Sequence, residues 1–421
     1  MLDVRAAESD DTATVVDLPE SVEELRTAAG AFAKELPAGA SAVAVDGLSG
    51  ERLTAFTEGL ILGAYRFTLA TKAVRGPSRV ELCGASDTDA VERGRESASA
   101  TCWARDLANT RSNIKTPAWL AQQAARELGA VGVDVIERDE VWLRDNGFGG
   151  VLAVGAGSVA PPRLIEASWR PRGARPGIHL VLVGKGITFD TGGINRKTGH
   201  GMRTMHTDMA GGAAVLAALR LIAIRTVPVR VTALVPAAEN SLSGSSFRPG
   251  DVVRHYGGRT SEITNTDAEG RIVLADALAY AAAKLKPTAL VDIATLTGAM
   301  KVALGLRIGG LLATSDPLAD GLLAAGRAAG EPLWRLPMPI EYESTLRSDI
   351  ADANNAPGNP GGITAALFLK PFARSVPWAH LDIAGPARAA EDDGVFTRGA
   401  TGFGVRLLHA WVESASRGPE T

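Results

Sequence analysis

The second half of the chain alternates short, solidly apolar runs with longer alanine-rich segments. Apolar residues on both faces are typical of central strands buried in a sheet, and such runs occupy residues 178–183, 229–235, 290–294 and 378–383. Helical composition occupies residues 210–224, 272–285, 318–329, 364–374 and 404–413. This alternation predicts a three-layer α/β/α domain with a mixed, mainly parallel sheet.

The first half shows a similar but shorter alternation, which predicts a smaller α/β domain. Helices are predicted at residues 22–36, 51–70 and 89–107, and another begins after Thr116, with Thr116 as N-cap and Pro117 in the first helical position. Strands are predicted at residues 42–45, 79–83, 132–136 and 150–154. A patch rich in Pro, Arg and Gly at residues 161–177 is predicted to be a surface loop. We therefore place the N-terminal α/β domain at residues 1–150 and the second domain at residues 151–421.

Composition narrows the function classes. The 44 basic and 47 acidic residues give a net charge of −3. This overall charge does not favour binding to nucleic acid or to an anionic membrane. The two cysteines, Cys83 and Cys102, are too few for a thiolate zinc cage or a disulfide scaffold. The N-terminus shows no apolar leader, and no run approaches the ~20 apolar residues of a membrane span. We expect a cytoplasmic protein.

Candidate chemistry begins at residues 265–271, Asn-Thr-Asp-Ala-Glu-Gly-Arg. Asp267 and Glu269 lie two positions apart, with Arg271 behind them, between strand-like residues 262–264 and a helical segment at 272–281. Ligands in open α/β sheets gather at such strand-to-helix turns, which favours a metal or anion site. Acids at a helix N-terminus also stabilise its dipole, so from this stretch alone the two interpretations have equal weight.

Further charged residues follow other predicted strands and precede other helices. Lys185 and Asp190 lie among glycines after the strand at 178–183, but the residues around Lys185 do not form a Walker motif. Together with the first stretch, the second half offers four carboxylates (Asp190, Asp208, Asp267 and Glu269) and three cations (Lys185, Lys197 and Arg271). Clustered carboxylates need compensating charge, and a pair of divalent metals would supply it. We expect burial to lower the pKa of a lysine enough for it to serve as a metal ligand.

Other catalytic schemes find little support. The sequence contains no G-x-S-x-G elbow and no H-E-x-x-H motif. Six histidines are scattered along it; His179 and His380 are predicted to lie in the core, and His206 could support the nearby Asp208.

Several short motifs occur in a fixed order, and with them the chain resembles the leucyl (cytosol) aminopeptidase family of two-metal exopeptidases. The motifs lie at residues 183–186, 189–193, 205–209, 240–252, 265–271 and 294–299, and the likeness continues through 378–386 and 402–408. A weaker likeness reaches residues 58–59 and 104–110. The resemblance thus covers residues 151–421 as the catalytic domain.

The resemblance implies specific roles. Lys185 and Asp208 would ligate the tightly held metal, Asp267 the exchangeable one, and Asp190 and Glu269 would bridge the two. Arg271, with backbone N–H groups near Leu296, would hold a bicarbonate that serves as general base for the metal-bridging water. Lys197 would stabilise the oxyanion. Met205, Thr295 and Gly298 would line the pocket for the first side chain.

The resemblance also implies a cofactor and an assembly: two divalent ions per subunit (Mn or Zn, with Co or Mg as further candidates) and a homohexamer. The partners would be peptides with a free N-terminus. The chain departs from the family pattern at His206, Thr198 and Ser241-Leu242, none of which replaces an implied ligand. Two alternatives stay open: a specialised dipeptidase or biosynthetic amidase on the same metal site, and an accessory DNA-binding or regulatory role.

Overall fold

The computed structural model describes residues 1–8, 13–15, 18–72 and 76–417. They form two compact units, one of Met1–Asp106 with Arg388–Thr401 and one of Leu107–Ala387 with Gly402–Thr421. Each has its own hydrophobic core. The boundary predicted at residue 150 falls inside the second unit.

The first unit is built on a four-stranded parallel sheet. Its strands are β1 (Asp3–Ala7), β2 (Thr14–Val15), β3 (Gly39–Ala44) and β4 (Pro77–Cys83), in the order β1-β4-β3-β2. Its helices are α1 (Val22–Glu35), α2 (Gly50–Ala64) and α3 (Thr88–Asn109). Leu25, Phe56 and Leu82 meet in its core. The helices predicted at 22–36, 51–70 and 89–107 are therefore all present, with the second ending earlier than predicted.

The second unit contains a nine-stranded mixed sheet that is mainly parallel. Its strands are β5 (Asp134–Arg138), β6 (Arg163–Trp169), β7 (His179–Gly184), β8 (Gly186–Asp190), β9 (Arg230–Asn240), β12 (Ala289–Ala294), β13 (Gly309–Ala313), β14 (Leu333–Arg335) and β16 (Trp378–Asp382). A smaller sheet joins β10 (Val252–Arg254), β11 (Thr260–Glu262) and β15 (Ala353–Asn354). The large sheet runs in the order β14-β13-β16-β12-β7-β9-β6-β5, with β8 beside β9. Because β5 pairs with β6, residues 134–138 belong to this sheet and not to the first unit.

Helices cover both faces of the large sheet. They are α4 (Pro117–Gly129), α5 (Glu140–Asp145), α6 (Gly149–Gly155), α7 (Gly199–Met202), α8 (Ala210–Ile224), α9 (Glu269–Tyr280), α10 (Gly298–Leu304), α11 (Asp316–Ala329), α12 (Gly361–Leu369) and α13 (Val405–Arg417). Successive strand residues point to opposite faces: Val181 and Val183 pack with α9, and Val235 faces Gly212 of α8. The predicted three-layer α/β/α fold is confirmed.

Two local predictions were wrong. Residues 150–154, predicted as a strand, lie in helix α6, where Val151 and Val154 are both buried at helical spacing. A short apolar run does not distinguish a buried strand from a buried helix turn. The predicted surface loop at 161–177 contains strand β6, whose Pro-rich flanks concealed the pattern Leu164 to Ala167.

One segment is apolar and long enough to span a membrane by composition. Met205–Ile224 is 20 residues long and contains an 18-residue window with a mean hydropathy of 1.5, although no such run was expected from the sequence. Within the fold, 83% of that apolar stretch is buried, so it is a core helix by its packing.

Candidate active site

The predicted site residues converge at the carboxyl ends of the central strands. Lys185 separates β7 from β8, and Asp190 ends β8. Asp208 follows a short 3-10 turn at Met205–Thr207, just before α8. Asp267 lies on the turn before α9, and Glu269 is the first residue of that helix. The carboxyl edge of such a sheet is where ligands bind in α/β proteins.

Lys185 connects three of these elements. Its Nζ lies 2.9 Å from Asp208 Oδ1 and 2.8 Å from Glu269 Oε1, and it donates to the Thr295 carbonyl at 3.1 Å. The side chain is only 3% exposed. Thr295 Oγ1 also donates to Asp208 Oδ1 at 2.6 Å, so Asp208 is held from two directions.

Lys197 makes the equivalent connection on the outer side of the cluster. Its Nζ lies 2.7 Å from Asp190 Oδ2 and donates to Asp267 Oδ1. Asp267 is the most accessible of the four carboxylates, with 31% of its side chain exposed. A ligand from solvent therefore meets Asp267 and Lys197 first.

The cluster carries more negative charge than the lysines balance. Four carboxylates and two ammonium groups leave −4 + 2 = −2. Burial, reinforced by Glu269, raises the pKa of Asp208 to about 6 although Lys185 opposes the shift. Burial and the Glu269 charge likewise raise the pKa of Asp190 well above its usual range. The site favours either protons or further cations.

The charge state of Lys185 differs from the sequence-based expectation. Burial does act to lower the pKa of Lys185, but the charges of Asp208, Glu269 and Asp190 outweigh it and raise that pKa above its usual range. Without other cations Lys185 is an ammonium. Neutral lysine would require cations that take over its compensating charge.

Glycines let the backbone approach the cluster closely. A Cβ on Gly270 would lie 2.6 Å from Lys185 Cε, so the side chain of Lys185 crosses α9 where this helix has no side chain of its own. Gly192, with a φ of +86°, adopts a conformation that favours glycine, and a Cβ there would lie 2.6 Å from the Asn195 carbonyl oxygen.

A framework of amides and hydroxyls supports the carboxylates. Asn240 Nδ2 donates to Asp190 Oδ1 at 2.8 Å and to the Thr266 carbonyl at 3.0 Å. Thr266 Oγ1 donates to the Gly192 carbonyl at 2.6 Å, and Thr266 N donates to Asn195 Oδ1 at 2.9 Å. Reasoning from the sequence assigned these residues no role. Their only sequence signal was that they lie within or beside the matching motifs.

Arg271 lies beneath the cluster in the first turn of α9. It is 8% exposed, and its Nη1 donates to the Asn355 carbonyl at 2.7 Å. Burial lowers the pKa of Arg271 to about 10, with Glu269 and Asp382 opposing. The Leu296 N–H, which the resemblance assigns to an anion, donates to Asp382 Oδ1 at 3.2 Å.

The three residues expected to line the substrate pocket lie in different surroundings from one another. Thr295 contacts the cluster directly through Asp208 and Lys185. Gly298 begins α10 with open space around it. The Met205 carbonyl accepts from Asp208 N at 3.2 Å. His206 is buried against Arg111, whose Nη1 lies 2.7 Å from His206 Nε2.

The donor set fits divalent metal ions. One oxygen from each of Asp190, Asp267 and Glu269 lies within 4.8 Å of the others. Among the described residues, Glu269 Oε2 is buried and accepts no hydrogen bond; Asp208 Oδ2 accepts none either, but it lies 2.8 Å from Lys185 Nζ. An unsatisfied buried carboxylate oxygen is costly unless an ion completes it. Carboxylate-rich sites suit Mn and Mg, and Zn also binds Asp and Glu oxygens.

Comparison with known proteins gives a consistent result. Residues 102–409 match the catalytic domain of the cytosol aminopeptidase family. A probable cytosol aminopeptidase of Micrococcus luteus is 44% identical over 423 residues, covering 94% of this chain and 82% of the relative. Another, of Syntrophotalea carbinolica, is 44% identical over 363 residues, covering 83% of this chain and 73% of the relative.

A solved structure extends the likeness to nearly the whole chain. The bottromycin maturation enzyme BotP in complex with Mn is 35% identical, with a TM-score of 0.89 and 99% of each chain covered. Sequence matches, fold and acidic cluster agree. The chain belongs to the cytosol aminopeptidase family, and it is a hydrolase of the aminopeptidase class.

Proposed function

We propose that the protein removes the N-terminal residue, leucine-like and others, from peptides with a free N-terminus, using two divalent metal ions. One observation carries this proposal: four carboxylates and two lysines converge with excess negative charge and with one buried carboxylate oxygen, Glu269 Oε2, that accepts no hydrogen bond among the described residues. When bound, such ions lower the pKa of water and polarise a scissile carbonyl. The Mn in the BotP complex supports manganese as one candidate ion, beside Zn, Co and Mg.

The chain's own residues divide the work of holding the ions. Lys185 and Asp208 would hold the first ion and Asp267 the second, because Lys185 contacts Asp208 directly and Asp267 lies on the accessible side. Asp190 and Glu269 would bridge them.

Lys197 would act on the substrate, and Arg271 on a bound anion. Lys197 Nζ lies at the accessible edge of the cluster, where an ammonium can stabilise negative charge on the substrate carbonyl oxygen. Arg271 would hold the anion, bicarbonate in the family scheme, that accepts the proton of the attacking water. Because the Leu296 N–H already donates to Asp382, Arg271 is the stronger partner for that anion, and its buried Nε has no hydrogen-bond partner among the described residues.

Specificity for an N-terminus would come from the second ion at Asp267, which is accessible to a free α-amine. The first side chain would lie against Met205, Thr295 and Gly298, where the absence of a side chain on Gly298 leaves room. We propose a cytoplasmic homohexamer, following the family scheme, and the net charge of −3 favours peptides over nucleic acid as partners.

A second candidate is a specialised peptide-processing role on the same site. BotP, a maturation enzyme, matches end to end, whereas the two curated relatives extend beyond the match. A peptide-library profile distinguishes the two: broad N-terminal cleavage supports a general aminopeptidase, and turnover of one narrow class supports the specialised role.

The test uses the purified full chain with Mn²⁺ or Zn²⁺ and leucine p-nitroanilide or short peptides. We expect release of the N-terminal residue that chelation abolishes. Asp267→Ala should remove the activity, while Asp320→Ala, at an exposed position on α11, should retain it. Metal-independent release, or equal activity in both variants, would sink the proposal.

A further inference from the structure

A fully buried asparagine links two parts of the site that lie far from it in sequence. Asn355 follows β15 and is 0% exposed. Its Oδ1 accepts from Thr264 N at 2.8 Å and from Asn265 N at 3.3 Å, and its Nδ2 donates to the Asn265 carbonyl at 2.8 Å. One side-chain amide thus satisfies three backbone groups of the turn that precedes Asp267.

That turn aims the metal-ligand candidate. Asn265 Oδ1 accepts from Asp267 N at 2.8 Å, so the position of Asn265 determines where the Asp267 backbone lies. Asn355 therefore acts on Asp267 through a single intervening residue.

The backbone of the same asparagine holds Arg271. The Asn355 carbonyl accepts from Arg271 Nη1 at 2.7 Å, and the Asn355 N–H donates to the Glu262 carbonyl at 3.0 Å. The side chain of Asn355 bonds the turn at Thr264 and Asn265, and its main chain bonds Arg271. Any shift of Asn355 therefore moves both.

We propose that Asn355 is a positioning residue that fixes Asp267 and Arg271 relative to each other, an inference that rests on the proposed metal-dependent function. Ligands and catalytic groups must be held within about 0.5 Å of their working geometry. Groups that orient a metal ligand through hydrogen bonds typically change metal affinity or activity by about 10–100-fold when removed.

The segment has a separate anchor, which provides a matched control. Asp352 Oδ2 accepts from Thr260 N at 2.8 Å and from Thr260 Oγ1 at 3.0 Å, three positions before Asn355. These bonds tie β15 to β11 without contacting the turn at Thr264 and Asn265. Substituting Asp352 disturbs the same segment but leaves the hydrogen bonds between Asn355 and the turn in place.

The experiment measures Mn²⁺ binding to the metal-free full chain by calorimetry, together with kcat and KM at saturating Mn²⁺. Asn355→Ala should weaken Mn²⁺ binding by about 10–100-fold and lower kcat even at saturating Mn²⁺, with KM changed less. Asp352→Ala should stay within about twofold of the parent in Mn²⁺ affinity, as expected for an exposed substitution. Should Asn355→Ala fail to fold, Asn355→Asp keeps the shape and the acceptor for the two N–H groups but turns a carboxylate oxygen, in place of a donor, toward the Asn265 carbonyl, so the turn should still be displaced and Mn²⁺ binding weakened.

The outcomes separate this inference from the proposed function. If the parent protein binds Mn²⁺ and cleaves peptides but the Asn355 variants match Asp352→Ala, Asn355 positions nothing and only this inference fails. Loss of Mn²⁺ affinity in all variants in proportion to lost thermal stability would also overturn it. A parent that neither binds Mn²⁺ nor cleaves peptides overturns the proposed function, and this inference with it.

Discussion

Two buried polar clusters along helix α9, one at its first residue and one around Asp276, differ in whether their polar atoms all have partners. At its start, Glu269 joins a cluster with excess negative charge, and among the described residues its Oε2 accepts no hydrogen bond. Further along, Asp276 accepts from Val151 N at 2.9 Å and from Tyr256 N at 3.0 Å, and its Oδ1 lies 3.0 Å from His255 Nδ1. Every oxygen of Asp276 has a partner.

The second cluster even has the composition of a catalytic triad, since His255 Nε2 lies 2.9 Å from Ser261 Oγ. His255 and Asp276 are 0% exposed, so no substrate reaches them. The residue types of a triad within hydrogen-bond distance therefore do not by themselves make a catalytic site. Excess charge, unsatisfied atoms and access are better guides, and each can be tested.

The largest expected effect is on activity at the unsatisfied cluster. Glu269→Gln keeps the shape but removes the charge of the proposed bridging ligand, and kcat/KM should fall at least about 10³-fold, because the Lewis-acid contribution of the ions is several kcal/mol. The metal-free variant should lose little stability: the substitution removes a charge that repels Asp190 and Asp208, but also the charge partner of Lys185 and Lys197, which against the effect of burial lower the pKa of Glu269. Peptide hydrolysis measures kcat/KM, and urea unfolding measures the stability of the metal-free variant. A marked loss of stability would show that Glu269 mainly stabilises the fold.

The satisfied cluster should respond in the opposite way. Asp276→Ala removes one partner of a buried hydrogen-bonded set and should lower the free energy of unfolding by about 3–5 kcal/mol. Any protein that remains folded at low temperature should retain Mn²⁺ affinity. Denaturant unfolding measures the stability and calorimetry the Mn²⁺ affinity; an unchanged unfolding midpoint would show that Asp276 does not stabilise the fold.

The pH dependence of stability and of Mn²⁺ affinity tests the role of Asp208 in the cluster at the start of α9. Its pKa is raised from 3.8 to about 6 by burial, so between these values the folded metal-free protein binds more protons than the unfolded chain. The stability contribution of this group is therefore fully present below about pH 4 and is lost as the pH rises through 6. Mn²⁺ affinity should change the other way and rise over the same window, because protons and metal compete. Thermal unfolding and Mn²⁺ titration between pH 5 and 7 measure how stability and Mn²⁺ affinity change with pH. If both change in the same direction, Asp208 does not ligate the metal.

The smallest expected effect concerns the glycine that lets Lys185 cross α9. Gly270→Ala places a Cβ 2.6 Å from Lys185 Cε, so this side chain must shift and Mn²⁺ affinity should fall by about tenfold. Gly298→Ala enters open space and should change KM for bulky first residues while metal affinity is retained. Equal Mn²⁺ affinities in the two variants would contradict the crowding argument.

Much of this organisation was predictable from residue patterns. The runs at 178–183, 290–294 and 378–383 appear as β7, β12 and β16 because strands that are apolar on both faces can be buried only between helical layers. Lys185 directly follows β7 and Asp190 ends β8, and because both strands run parallel to β9, these two residues lie at the same carboxyl edge of the sheet. The strand predicted at 150–154 failed because Val151 and Val154 fit a helix packed on α9 equally well, and only tertiary packing chooses.

The sequence by itself therefore determined the layers, the family and which carboxylates and lysines gather. Only the tertiary structure decided that Lys185 is charged in the absence of other cations, because its pKa depends on three carboxylates from separate elements. It alone revealed that Asn355 connects Asp267 with Arg271, since hydrogen bonds across about ninety residues of chain leave no local pattern. Local periodicity encodes burial, whereas charge state and positioning depend on distances that exist only once the chain is folded.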